Sequence, residues 1–196
     1  MSPELPEALR VALRVIDVIE EMRIRYHVGG SYASSIHGIA RQTQDIDLVV
    51  ELTAEAAGAL ARRLSGEFYV DEESARRAAR ERRSFNLIHL ATAIKVDLFV
   101  LGNAPFDQEE FRRHNLELVQ SEPERRVFVK TPEDILLRKL QWYRLGGEVS
   151  DRQWGDALGI ARVQGDKLDR GYLRRWAAPL GVEDLLAKIL GSNLGP

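Results

Sequence analysis

The chain has 196 residues and a mass of 22.2 kDa, with 44% hydrophobic and 30% charged residues, a formal net charge of −2 and a pI near 6.1. This length holds one substantial core, or one core with a small appended domain, and the near-neutral balance excludes a generic polyanion binder. The lack of cysteine excludes disulfides and thiolate zinc sites. No apolar run is long enough to span a membrane, and the polar, acidic stretch MSPELPEALR is unlike a signal peptide, so the expected compartment is the cytoplasm.

Taken in order, residues 6–22 carry Leu9, Ala12, Leu13, Ile16 and Ile19 at helical spacing. Residues 24–28 read as a short strand ending at Gly29-Gly30, and Ser31 opens a helix that Gly38 closes. A β-rich run follows over 44–51, then a helix with Thr53 as N-cap and Gly66 at its end. Residues 67–70 read as a strand, and the arginine-rich stretch beyond as a short helix. Runs 84–90 and 94–100, joined by Ala-Thr-Ala, predict a hairpin. After a loop with Asn103 and Pro105 come a short helix and a strand over 126–130. Thr131-Pro132-Glu133-Asp134 is a helix start by cap, proline and first-turn acids. That helix runs to Gly146-Gly147, and three further helical segments follow near 150–163, 168–178 and 182–190. The expected architecture is α/β with a mixed sheet over 1–130 and a helical domain over 131–196 that closes one side of a cleft.

The chemistry concentrates in two places. Gly29-Gly30 permits a tight turn with close approach to the backbone, and Ser31 stands at a helix N-terminus, where an anion is favoured. Asp45 and Asp47, one residue apart on a strand, point to the same face and repel unless a cation lies between them. Oxygen donors of this kind suit Mg²⁺ or Mn²⁺ shared with substrate phosphates; two exposed acids on an edge strand is the plainer alternative. Asp97, in the β run KVDLFV, is a candidate third carboxylate, with Lys95 on the same face. The three-acid reading requires the strand of Asp97 to lie beside that of Asp45 and Asp47. The four histidines show no metal-binding spacing, and Arg76, Arg77, Arg80, Arg82 and Arg83 read either as a solvated helix face or as a site for an RNA backbone.

Gly30-Ser31, Asp45-Ile46-Asp47 and the later Asp97 resemble the nucleotidyltransferase superfamily of DNA polymerase beta type. Lys95-Val96-Asp97, the helix TPEDILLRKLQWYR and the following RQWGD make the chain most similar to the minimal, AbiEii-like nucleotidyltransferases of the abortive-infection toxin group, over roughly residues 26–160. The resemblance implies transfer of a nucleoside monophosphate from a nucleoside triphosphate to an acceptor hydroxyl, with pyrophosphate released. It implies Asp45, Asp47 and Asp97 as catalytic ligands of two Mg²⁺ ions, and Gly29, Gly30, Ser31, Lys95, Lys139 and Arg144 as nucleotide-binding residues. The implied acceptors are an RNA or tRNA 3′ end or a protein side chain, and an antitoxin partner comes with the toxin group. An aminoglycoside-type small molecule is another acceptor, for which the segment Asp71-Glu72-Glu73 is the local source of acidity. A non-catalytic nucleotide-binding regulator or antitoxin that keeps the fold and binds a partner is a further alternative. Gly155 stands before Asp156 where the family often has lysine, which leaves Asp156 open between a site residue and a helix-surface acid.

Overall fold

The computed structural model describes residues 5–41, 43 and 45–192. The chain divides into two compact units: Met1–Tyr32 with Thr43–Val129, and Ala33–Gln42 with Lys130–Pro196.

The first unit opens with α1 (Glu7–Glu21), whose stripe of Leu9, Ala12, Leu13, Ile16 and Ile19 is buried, as helical spacing requires. Then come β1 (Tyr26–Val28), the start of α2 (Gly30–His37), β2 (Ile46–Val50) and α3 (Ala54–Leu64). Thr53 caps α3, its side chain accepting from the Ala56 N–H at 3.2 Å. Next are β3 (Phe68–Tyr69), α4 (Glu72–Glu81), β4 (Ser84–His89), β5 (Lys95–Val100), α5 (Pro105–Arg112), β6 (His114–Gln120) and β7 (Arg125–Lys130). Asp71 caps α4 by accepting from the Ser74 N–H at 2.7 Å, and Arg82 in the left-handed region (φ 51°) ends it. The expected loop Asp71-Glu72-Glu73 is therefore a helix start, with both glutamates in the first turn. Strand β6 was not expected: Leu116 and Leu118 are half exposed along it, so it lacks the apolar face that marks a strand in sequence.

The described strands form one mixed sheet in the order β3-β4-β5-β2-β1-β7-β6. Strands β3, β4 and β5 run antiparallel in sequence, β2 lies parallel to β5, and β1 pairs antiparallel with β2 and parallel with β7. Alternation gives the central strands two different faces. Ile46, Leu48 and Val50 of β2 and Val96, Leu98 and Val100 of β5 are buried, and α1 packs against both strands. The other face carries Asp47, Val49, Lys95, Asp97 and Phe99, none of them buried. Burial of a side chain such as Leu48 or Leu98 contributes about 1.5–3 kcal/mol, so a one-residue slip in register would lose several such terms and bury the acids instead.

The second unit contains α6 (Pro132–Leu145), α7 (Asp151–Gln164), a 3₁₀ turn (Gly165–Lys167), α8 (Arg170–Ala177) and α9 (Glu183–Ser192). The start of α6 matches its sequence signature and does more than cap. Thr131 Oγ1 accepts from the Asp134 N–H at 3.3 Å and donates to Asp134 Oδ2 at 2.6 Å, while Tyr172 of α8 donates to the other oxygen at 2.5 Å. Glu133 accepts the Asp169 N–H at 2.9 Å. Residues 33–42 join this unit because Gly38 comes so near α7 that a Cβ there would lie 2.9 Å from the Ile160 nitrogen. Among the described residues, no helix is long and apolar enough to cross a membrane.

Candidate active site

The turn after β1 is built around a missing side chain. The Gly29 N–H donates to the Asp47 carbonyl at 2.8 Å, which draws the end of β1 onto β2. Gly30 then takes φ +57°, and a Cβ on it would lie 1.6 Å from Asp47 Oδ2. The Asp47 carboxylate thus occupies the space beside the glycine, against the first turn of α2, where Ser31 is buried. Gly30→Ala is expected to displace this carboxylate by an ångström or more. A misplacement of that size costs reaction rates about 10²-fold, and the left-handed backbone adds about 1–2 kcal/mol of strain. Turnover measured beside circular dichroism separates the two; wild-type turnover in this variant would remove the close-packed turn from the site.

Asp97 stands next to Asp47. In the parallel pair β2/β5 the two aspartates are register partners, so their side chains leave the sheet on one face, with the strands about 4.8 Å apart. Asp45 lies immediately before β2. The expected adjacency of the Asp97 strand to the Asp45–Asp47 segment is therefore present. Asn86 extends the row, opposite Asp97 in the antiparallel pair β4/β5. Sequence reasoning did not single it out, although the Ala91-Thr92-Ala93 connection contains the hairpin register.

Lys95 lies on this face and its Nζ is 2.8 Å from Asp97 Oδ2. Its pKa is raised, first by the hydrogen bond to Asp97 and then, against partial desolvation, by the charges of Asp97, Asp45 and Asp47. The ammonium thus feels all three acids. Among the described residues, no three carboxylate or imidazole groups converge as a ready metal cage; the Asp97 carboxylate meets Lys95. The donor set nevertheless fits a hard divalent cation, because two in-register carboxylates with a third acid just upstream supply only oxygen ligands.

Removing the internal counter-ion tests that fit without reference to turnover. Lys95→Met is expected to lower the melting temperature without metal and to increase the gain on adding Mg²⁺. The lysine side chain is 40% exposed, so the pair is worth at most about 1 kcal/mol, or roughly a fivefold tightening of the ion. A Mg²⁺-induced shift no larger than that of the wild type would count against a cation among these acids.

The remaining expected residues lie in the second unit. Lys139 of α6 is buried, with Nζ 2.8 Å from Asp156 Oδ2. Arg41 binds the same carboxylate through Nε at 2.8 Å and Nη2 at 3.0 Å. Burial lowers the Lys139 pKa, assisted by the like charges of Arg41 and Arg152 and opposed by Asp156. Burial would raise that of Asp156, but hydrogen bonds from Arg41 and Lys139 outweigh it and hold the carboxyl below its ordinary value. Asp156, left open in sequence, is thus no helix-surface acid, and Lys139 does not snorkel to solvent. No local sequence signal marks Arg41, which lies beyond the end of α2. Arg144, near the end of α6, pairs with Glu148 at 3.0 Å and Asp184 at 2.5 Å.

The arginine-rich helix α4 largely neutralises itself. Arg76 pairs with Glu72 at 2.7 Å, Arg80 with Glu73 at 2.8 Å and Arg83 with Glu81 at 3.3 Å, while Arg82 donates to the Leu101 carbonyl at 2.6 Å.

The mixed α/β fold of this chain is similar to that of solved nucleotidyltransferases. No family model and no curated protein matches the chain, whereas solved structures do. The lincomycin-bound lincosamide antibiotic adenylyltransferase LnuA is similar at a TM-score of 0.53 and 13% identity, over 82% of this chain and 99% of that one. The antibiotic-resistance factor ANT(2'')-Ia aligns at a TM-score of 0.54 and 13% identity, over 87% and 93%. An antigenic nucleotidyltransferase-like protein from Paracoccidioides brasiliensis aligns at 0.53 and 15% identity, over 96% and 94%. Likeness at such identities defines the fold alone.

Proposed function

We propose that the protein is a divalent-metal-dependent nucleotidyltransferase that moves a nucleoside monophosphate from a nucleoside triphosphate to an acceptor hydroxyl. One observation carries the reading: Asp47 and Asp97 stand in register on parallel strands, beside a glycine whose hydrogen leaves room for the Asp47 carboxylate. Burying the neighbouring strand faces while leaving two acids together on the open face has no evident benefit for stability, since paired carboxylates repel.

Asp45, Asp47 and Asp97 are the residues that would hold Mg²⁺. When bound, the ion supplies positive charge for the phosphates and acidifies the attacking hydroxyl. Ser31 and the first turn of α2 orient the β- and γ-phosphates through hydroxyl and backbone donors. Lys95, released from Asp97, neutralises phosphate charge. The acceptor oxygen forms a bond to the α-phosphorus as the bond to the bridging oxygen breaks, pyrophosphate leaves, and the hydroxyl proton passes to Asp97. The motif resemblance assigns Lys139, held by Asp156, to the triphosphate, with Arg144 as a secondary contact. The narrower AbiEii-like placement, with its toxin role and antitoxin partner, rests on that motif resemblance.

The test is a transfer assay with purified protein, Mg²⁺, each α-³²P-labelled nucleoside triphosphate in turn, and mixed acceptors. A labelled acceptor that disappears in the Asp47→Asn variant supports the reading. Nucleotide binding with no transfer to any acceptor would favour a non-catalytic regulator.

A further inference from the structure

A cleft of about 490 Å³ opens beside Asp97, between α4 and the strands β3 and β4, wholly within the first unit. Its walls include Tyr69, Asp71, Arg77, Glu81, Arg83 and Asn86, and Asp97 itself lies on its lining. We propose that this cleft is the acceptor subsite, and that it takes a polyhydroxylated small molecule of saccharide type rather than a nucleic acid. The inference rests on the catalytic reading of Asp97 given above.

Position comes first. A group that attacks the α-phosphorus must approach from the side of the acid that takes its proton, and the cleft reaches that acid directly. Asn86, the cross-strand partner of Asp97, is exposed and offers both an amide donor and a carbonyl acceptor beside the reacting hydroxyl. It is a positioning residue, bridging the acceptor and the catalytic carboxylate.

Size and charge then select the ligand. A volume of about 490 Å³ falls within the roughly 300–1,000 Å³ of small-molecule sites. The lining sets two guanidinium groups, Arg77 and Arg83, against three carboxylates, Asp71, Glu81 and Asp97. A polynucleotide backbone requires an excess of cations along its track, and here the balance leans the other way. Arg83 is held by Glu81, and Arg76, Arg80 and Arg82 turn to Glu72, Glu73 and the Leu101 carbonyl. Arg77 donates to Ser74 Oγ at 3.4 Å, which leaves it as the guanidinium of the stretch that faces the cleft with no ion pair among the described residues. Alternating donors and acceptors around a neutral-to-acidic cleft match the hydroxyls of a sugar. Tyr69, 65% exposed on the rim, provides a flat aromatic surface for the apolar face of a ring and a hydroxyl at its edge.

The experiment offers the wild-type protein Mg²⁺, labelled nucleoside triphosphates and two acceptor sets: methyl glucoside, sucrose and neomycin on one side, total RNA on the other. Binding of the three small probes is followed separately by saturation-transfer NMR. The expected result is label on a small hydroxylated probe, with Tyr69→Ala and Asn86→Ala each raising its KM at least tenfold and leaving the nucleotide dissociation constant within twofold. Asn86→Asp, which keeps the size and one acceptor, recovers part of the loss. Label on RNA alone overturns the proposal, as does an acceptor KM indifferent to Tyr69, Asn86 and Arg83. If no acceptor is labelled, and total cell protein offered alongside is not labelled either, the catalytic reading fails. The NMR signal then decides the cleft by itself: saturation transfer lost in Tyr69→Ala sustains a saccharide site, and its absence in the wild type overturns one.

Discussion

Asp97→Asn is expected to reduce nucleotidyl transfer by about 10³-fold or more without unfolding the protein. The substitution keeps the size of the side chain but removes the negative charge and the proton acceptor together. A metal centre contributes several kcal/mol of charge stabilisation to the transition state, and about 4 kcal/mol corresponds to roughly 10³ in rate. The fold survives because Asp97 stands on the unburied face of β5, and the apolar face of Val96, Leu98 and Val100 is untouched. Loss of the exposed ion pair with Lys95 is offset in part by relief of the repulsion from Asp47, so the net change in stability is small. The measurement is single-turnover transfer with saturating Mg²⁺ and nucleotide, accompanied by a thermal melt. Transfer within tenfold of wild type would sink the three-carboxylate site. Asp47→Asn is expected to behave alike, since it is the register partner.

The largest effect on stability is expected at Asp156. Its side chain is 7% exposed and satisfies two cations, of which Lys139 is equally buried at 7% and Arg41 is 29% exposed. Asp156→Ala leaves the buried Lys139 ammonium without its counter-charge and beside the like charge of Arg41, which costs about 3–5 kcal/mol. Arg41 can turn to water, so the lysine carries most of that penalty. Urea denaturation reads the loss directly. The double variant Lys139→Met with Asp156→Leu should recover much of it, because a well-packed apolar pair replaces a buried ionic one at little net cost. No recovery would mean that the carboxylate organises more than the lysine.

The same carboxylate sets a pH dependence whose sign follows from its depressed pKa. A group of this kind stabilises the folded state above its unfolded pKa, near 3.9 for aspartate, and the contribution fades as pH falls through the lower folded value. The stability gap between the wild type and Asp156→Asn should therefore be full at neutral pH and shrink in acid below about pH 4. A gap that widened in acid would reverse the assignment.

Much of this arrangement was legible in the sequence, because it follows from local backbone geometry. The two-residue period of a strand puts Lys95, Asp97 and Phe99 on one face of β5 and Val96, Leu98 and Val100 on the other, whichever strand lies beside it. Thr53 and Thr131 cap their helices because a hydroxyl there reaches a backbone N–H three residues on. The glycine at position 30 is read from its place between a strand and a helix, and its positive φ agrees.

What only the tertiary structure decided is which distant segments meet. Asp97 lies beside Asp47 because β5 pairs with β2, a choice set by burial of the common apolar face and not by any local pattern. Asn86 enters the row through the register of β4 with β5, and α4 closes a cleft over it. Arg41, Lys139 and Asp156 converge only once residues 33–42 have packed on the helices, which the glycine contact at Gly38 permits. Strand β6 lies at the sheet edge, where its half-exposed leucines leave no periodic trace. Alternation and capping act over a few residues and are written in the chain; pairing and convergence depend on burying surface between segments far apart, and are realised only in the folded molecule.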